Sequence, residues 1–168
     1  MNTCQAIAQN EQRSLIREVK NTCTQFGTCC KLQEIKVPSI AAFTTPDNTI
    51  TYSSGVMQLP INKARAILYH EMAHLALKHP QTWKNIVDTN QIQTMRVNDI
   101  RGLRHMHEYQ ADNLASFALS INRHENLLDV VLMDIVPENR RGISTTFHPS
   151  INNRVQHIQY YKNIYKGF

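Results

Sequence analysis

The chain of 168 residues has no uninterrupted apolar run near the ~20 residues that a helix needs to cross a bilayer, so no transmembrane segment of that kind is expected. Its opening, Met1-Asn2-Thr3-Cys4-Gln5-Ala6, lacks the basic and then apolar stretches of a secretory leader. The expectation is a cytoplasmic protein as the sequence stands, or a periplasmic or secreted one if a leader has been removed. No internal repeat, low-complexity tract or linker is found, and the length suits one core, so a single domain over 1–168 is expected. A strong excess of one charge is also missing. Eighteen Lys and Arg against thirteen Asp and Glu leave +5, and the basic residues are scattered apart from Arg101/Arg104 and Arg140-Arg141. That distribution reads as a solvated surface and not as a nucleic-acid footprint. Cysteine is confined to the first thirty residues (Cys4, Cys23, Cys29, Cys30), with no C-x-x-C to hold a zinc ion. Free thiols in a reducing compartment and one or two disulfides in an exported protein both fit this spacing.

What is present has clear periodicity. Residues from about Ala6 to Gln25 place Ile7, Leu15, Ile16, Val19 and Cys23 in a helical rhythm that Gly27 ends. Leu32 to Val37 alternates as a strand closed by Pro38; Ser39 to Thr44 is a second extended run, and Thr49 to Ser53 returns after the turn Pro46-Asp47-Asn48. A small antiparallel sheet is the expected product. Ala66 to Leu77 reads as a buried helix with Asn62 capping its start and His79-Pro80 stopping it. Thr82 to about Met95 is a weaker polar helix, and Gly102 breaks the chain. Leu103, Met106, Leu114, Phe117, Ala118 and Ile121 then mark a second strong helix. Asn126 to Ile135, a polar loop from Glu138 to Thr146 and a final helix from Pro149 to Tyr165 complete an α+β, mainly helical pattern.

The chemistry centres on His70-Glu71-Met72-Ala73-His74. Residues four apart share a helix face, so His70 and His74 can offer imidazoles to one metal ion. Glu71 lies about 100° round the helix, near enough to act as general base on a water held by that ion. Two neutral imidazoles suit zinc, which in catalytic sites takes three protein ligands and keeps one position open. Downstream, Glu108 and Asp112 are again four apart. Glu108 is the expected third ligand. Asp112 is expected behind it, accepting from the free ring nitrogen of a ligand histidine, His70 foremost, and fixing its tautomer. Ala111 and Ala115 are small enough for close helix packing. His107 is the rival ligand, while His79, His105, His107, His124 and His157 otherwise read as surface or packing residues.

The pairing of His-Glu-x-x-His with Glu108-Tyr109-Gln110-Ala111-Asp112 resembles the gluzincin peptidases of the CAAX prenyl endopeptidase and HtpX heat-shock protease family. A third family motif, His-Pro-Pro-x-x-x-Arg-Ile, is similar to His148-Pro149-Ser150-Ile151-Asn152-Asn153-Arg154-Val155. The family's strand element before the metal helix resembles Ala41-Ala42-Phe43, Ile50 to Tyr52 and Gly55-Val56-Met57. Together these span roughly residues 35 to 160. Two departures stand out: Ala41 replaces the usual Asn, and Ser150 replaces the second Pro. The family's membrane helices are absent, so its substrates do not carry over.

The resemblance implies a zincin-like fold with one Zn2+ per chain on His70, His74 and Glu108. It implies a zinc-dependent endopeptidase acting on protein or peptide substrates, with Glu71 as general base. His148 would sit over the metal, either supporting the oxyanion or capping the open position at rest, and Arg154 would anchor that loop, through Asp112. Tyr109 is a further oxyanion donor or a packing residue. An extended substrate is expected along the edge strand Ile40, Ala41, Ala42 and Phe43, paired through its backbone. Two other readings compete: a regulatory protease like the phage anti-repressor peptidases, and a zinc-bound chaperone-like binding module with little turnover. An intact Glu71 counts against the second.

Overall fold

The computed structural model describes residues 3–165. It is α+β and mostly helical, with 65% of the chain in helix and one small three-stranded mixed sheet. The chain divides into two compact units at Pro80/Gln81. Among the described residues no helix is long and apolar enough to cross a membrane.

The first unit begins with α1 (Thr3–Gln25). Among the residues whose side chains are described, Leu15, Val19, Thr22 and Cys23 are buried, at the i, i+4, i+7 and i+8 positions of a single face. The helix closes at Gly27, whose φ of 72° lies in the left-handed region; Thr28 N–H donates to the Cys23 carbonyl at 3.0 Å to complete the turn. A disulfide joins Cys23 to Cys30 across this turn, and Cys29 is free and exposed. The side chain of Cys4 lies outside the described residues.

Three strands follow: β1 (Lys31–Ile35), β2 (Ala42–Thr45) and β3 (Thr49–Ser53). The expectation of an antiparallel sheet holds for only half of it. β2 and β3 form an antiparallel hairpin, but β1 lies on the other side of β3 and runs parallel to it, with Leu32 opposite Ile50. Alternation specifies which face a strand buries, not its partner or direction, and here the segment after β1 crosses the end of β3. Gly55 N–H and Ser54 Oγ both donate to the Val37 carbonyl, and Ser53 Oγ donates to the Ser39 carbonyl at 2.6 Å. A Cβ at Gly55 would stand 2.3 Å from the Pro38 carbonyl oxygen, so only glycine fits under the crossing. β3 is buried at all five residues, as a central strand should be.

Ser53 caps the short α2 (Ser54–Met57) by accepting from Val56 N–H. The motif helix α3 (Ile61–Ala76) then buries Ala64, Ala66, Leu68, Tyr69, Met72, Ala73 and Leu75. Its start corrects the expected cap: Pro60 occupies the N-cap position, and the Asn62 side chain, inside the first turn, accepts from Arg65 Nη1 at 2.7 Å. Its end corrects another expectation. The helix ends at Ala76 with Leu77 as its C-cap, Lys78 turns left-handed at φ 59°, and His79-Pro80 opens α4 (His79–Asp88) instead of ending α3. Proline is compatible with a first turn, where its missing N–H has no intrahelical partner.

α1 and α3 are joined by a polar cluster inside their contact. Tyr69 Oη donates to Glu18 Oε1 at 2.8 Å, Thr22 Oγ1 lies 3.2 Å from the same hydroxyl, and Arg65 reaches both Glu18 oxygens. Burial, with Glu18 as acceptor, pushes the Tyr69 phenol well above its usual range.

In the second unit, α5 (Val97–Ile121) starts where Asp99 accepts from Arg96 N–H. It runs through Gly102, which was expected to break the chain. Gly102 is exposed with nothing near it, and a helix this long absorbs the ~1 kcal/mol a glycine costs. The buried stripe is His107, Glu108, Ala111, Asp112, Ala115, Ser116, Ala118 and Leu119; Met106, Phe117 and Ile121 lie exposed on other faces. α6 (Leu127–Ile135) and α7 (Ile151–Tyr165) pack with α5, burying Leu128, Val131, Leu132, Val155 and Ile158.

Candidate metal centre

Helical periodicity makes the first half of the site. On α3 the rings of His70 and His74 meet edge to face, with their Nε2 atoms 3.0 Å apart. A tetrahedral zinc ion with N ligands at ~2.05 Å would hold two such nitrogens about 3.3 Å apart, so the pair is already close to a chelating geometry. Behind His74, its other ring nitrogen, Nδ1, lies 2.9 Å from Nδ1 of His79, which is buried. Glu71 is the next residue on α3 and is half-buried.

The second unit gathers four more of the expected residues. Glu108 and Asp112 lie one turn apart on the buried stripe of α5. Arg154, on the first turn of α7, donates from Nε and Nη2 to the two oxygens of Asp112, at 2.7 and 2.6 Å. Its Nη1 is 3.5 Å from Glu108 Oε2. Asp112 is fully buried and Arg154 nearly so, so each charge neutralises the other in a two-pronged pair. His148 brings Nδ1 to 3.0 Å from Glu108 Oε2 while its side chain stays 60% exposed.

The loop carrying His148 is built locally. Thr145 Oγ1 accepts from Phe147 and His148 N–H, and Thr145 N–H donates to the His148 carbonyl. His105 Nε2 donates to the Thr145 carbonyl at 2.8 Å. The Arg104 guanidinium lies 4.2 Å from the Phe147 ring centre and 4.9 Å from that of Trp83, a cation between two aromatic faces. Neither Arg104 nor His105 was singled out for this role by the sequence. Tyr109 stacks on His157 with ring centres 4.4 Å apart. Burial lowers the His157 pKa, against a smaller upward pull from Asp112.

Ala42 and Phe43 belong to β2, which is an edge strand; Ile40 and Ala41 precede it. Ala41 extends the pairing by one residue, accepting from Ser53 N–H and donating to Ser53 Oγ. Phe43 and Ile40 are both about half exposed.

Among the described residues, His70, His74 and Glu108 form a group that could hold a metal ion. Two imidazoles and a carboxylate are the donor set that suits zinc. No family model matches this chain, nor does any curated protein or solved structure.

Proposed function

We propose that this chain is a zinc-dependent endopeptidase with a zincin-like organisation, related to the CAAX prenyl endopeptidase and HtpX proteases. The observation that carries the reading is the His70, His74 and Glu108 group beside an intact Glu71. These three residues would hold one zinc ion. When bound, the ion supplies Lewis acidity, polarising a peptide carbonyl and acidifying a water toward a pKa of ~7.

The chain's own residues do the rest. Glu71 removes a proton from the attacking water as the C–O bond forms, then delivers it to the amide nitrogen as the C–N bond breaks. His148 supports the developing oxyanion from its exposed loop. Arg154 holds Asp112 and, through the loop that leads into α7, the approach of His148. An extended segment of substrate pairs along the outer edge of β2, an edge strand among the described residues, near Ala42 and Phe43, which selects for unfolded chain more than for side-chain identity.

The test is cleavage of an unfolded protein such as casein. The zinc-loaded protein should cleave it, a chelator should stop the reaction, and zinc should restore it. His148→Ala should retain zinc and lose ~10²–10³-fold in turnover. A gain in activity would show instead that His148 covers the site at rest. No cleavage of any unfolded substrate by the zinc-loaded protein would favour a binding module over an enzyme.

A further inference from the structure

The motif assigns work to His70, Glu71 and His74 and leaves His79 with none. The structure brings it back to them. Just past the end of α3, Lys78 adopts the left-handed conformation, and this reversal folds the first residue of α4 against the last turn of α3. His79 is 4% exposed, its ring centre lies 5.0 Å from that of His74, and the Nδ1 atoms are 2.9 Å apart. A spacing of five residues is not a helical face, so only the chain reversal makes the contact.

The two nitrogens of His74 therefore face different partners: Nε2 toward His70 and Nδ1 toward His79. A neutral imidazole carries one proton. If Nε2 is the metal-binding atom, the proton resides on Nδ1 and must be donated to an acceptor. We infer that His79 is that acceptor, a positioning residue that fixes the tautomer and ring orientation of His74 for metal binding. It accepts through Nδ1 and so keeps its own proton on Nε2. The inference rests on the zinc reading above but is tested apart from it. A carboxylate or backbone carbonyl is the common partner for such a histidine; here another imidazole takes that place.

The experiment compares His79→Asn with His79→Phe. Asn places a carbonyl oxygen near the former Nδ1 and keeps the acceptor, while Phe keeps a ring of similar size without it. Zinc affinity is read by competition with a chromophoric chelator, and folding by far-UV circular dichroism and thermal melting. His79→Phe should bind zinc about 10–100-fold more weakly, and His79→Asn should recover most of that loss. Equal affinity in His79→Phe and the unsubstituted protein overturns the inference; so does a folded His79→Asn as weak as His79→Phe. Nitrogen-15 NMR of the metal-free protein gives a readout that depends on neither zinc nor activity. His74 should hold its proton on Nδ1, and finding it on Nε2 overturns the inference without any variant. Should the protein bind no zinc while His74 still shows the Nδ1–H tautomer, the metal reading fails and the pairing of His74 with His79 stands.

Discussion

At Glu108 a buried carboxylate is approached by His148 Nδ1 at 3.0 Å and Arg154 Nη1 at 3.5 Å. A buried carboxylate is stabilised by positive charge, and a zinc ion held with His70 and His74 would add to the Arg154 guanidinium already beside it. Zinc content should therefore fall sharply in Glu108→Ala and remain near one ion per chain in His107→Ala. Full retention in the first with loss in the second, measured by metal analysis of purified folded protein, would reassign the third ligand. Residues of this kind are legible in the sequence when their spacing is helical, because a separation of four projects two side chains to one side whatever surrounds them. His70 with His74 and Glu108 with Asp112 are of that kind. His79, Arg104 and His105 are not. Each makes its contact through a chain reversal or a loop forty residues away, and local periodicity carries no trace of either.

At the scale of elements, the crossing of residues 37–41 over the end of β3 decides the order of the sheet. Gly55 is its tightest point. Gly55→Ala would drive a methyl group into backbone oxygens of Pro38 and Ser39, neither of which is the end of a flexible side chain. A loss of about 1–3 kcal/mol is expected in denaturant unfolding; an unchanged midpoint would show that the crossing is loose. The hairpin of β2 and β3 was readable from its turn residues, because turn chemistry is local. The parallel placement of β1 was not, since a strand's partner is a tertiary choice. Helix ends are ambiguous for a related reason: Asn62 and Gly102 have the composition of a cap and a breaker, but packing along α3 and α5 outweighs a preference worth ~1 kcal/mol. The disulfide belongs to this scale too. Cys23–Cys30 closes a loop seven residues apart between α1 and β1, remote in sequence from every motif residue. Replacing both by Ser should cost about 2 kcal/mol of stability and leave zinc content unchanged. A folded double variant that loses its zinc would show the disulfide to be part of the site.

For the whole molecule, the mostly helical α+β character follows from the long 3.6-residue patterns, and the small sheet from three short β-rich runs. What those patterns assemble is proposed to be a peptidase, and the claim stands or falls on Glu71. As general base it acts on the reaction and not on the metal. Glu71→Gln keeps the size and hydrogen bonding of the side chain and removes its basicity. The decisive measurement is casein cleavage by zinc-loaded Glu71→Gln protein, with zinc content and melting temperature determined on the same sample. The expected result is unchanged zinc and fold with a rate lower by ~10²–10⁴-fold or more. Undiminished proteolysis by a folded, zinc-loaded Glu71→Gln protein would contradict it.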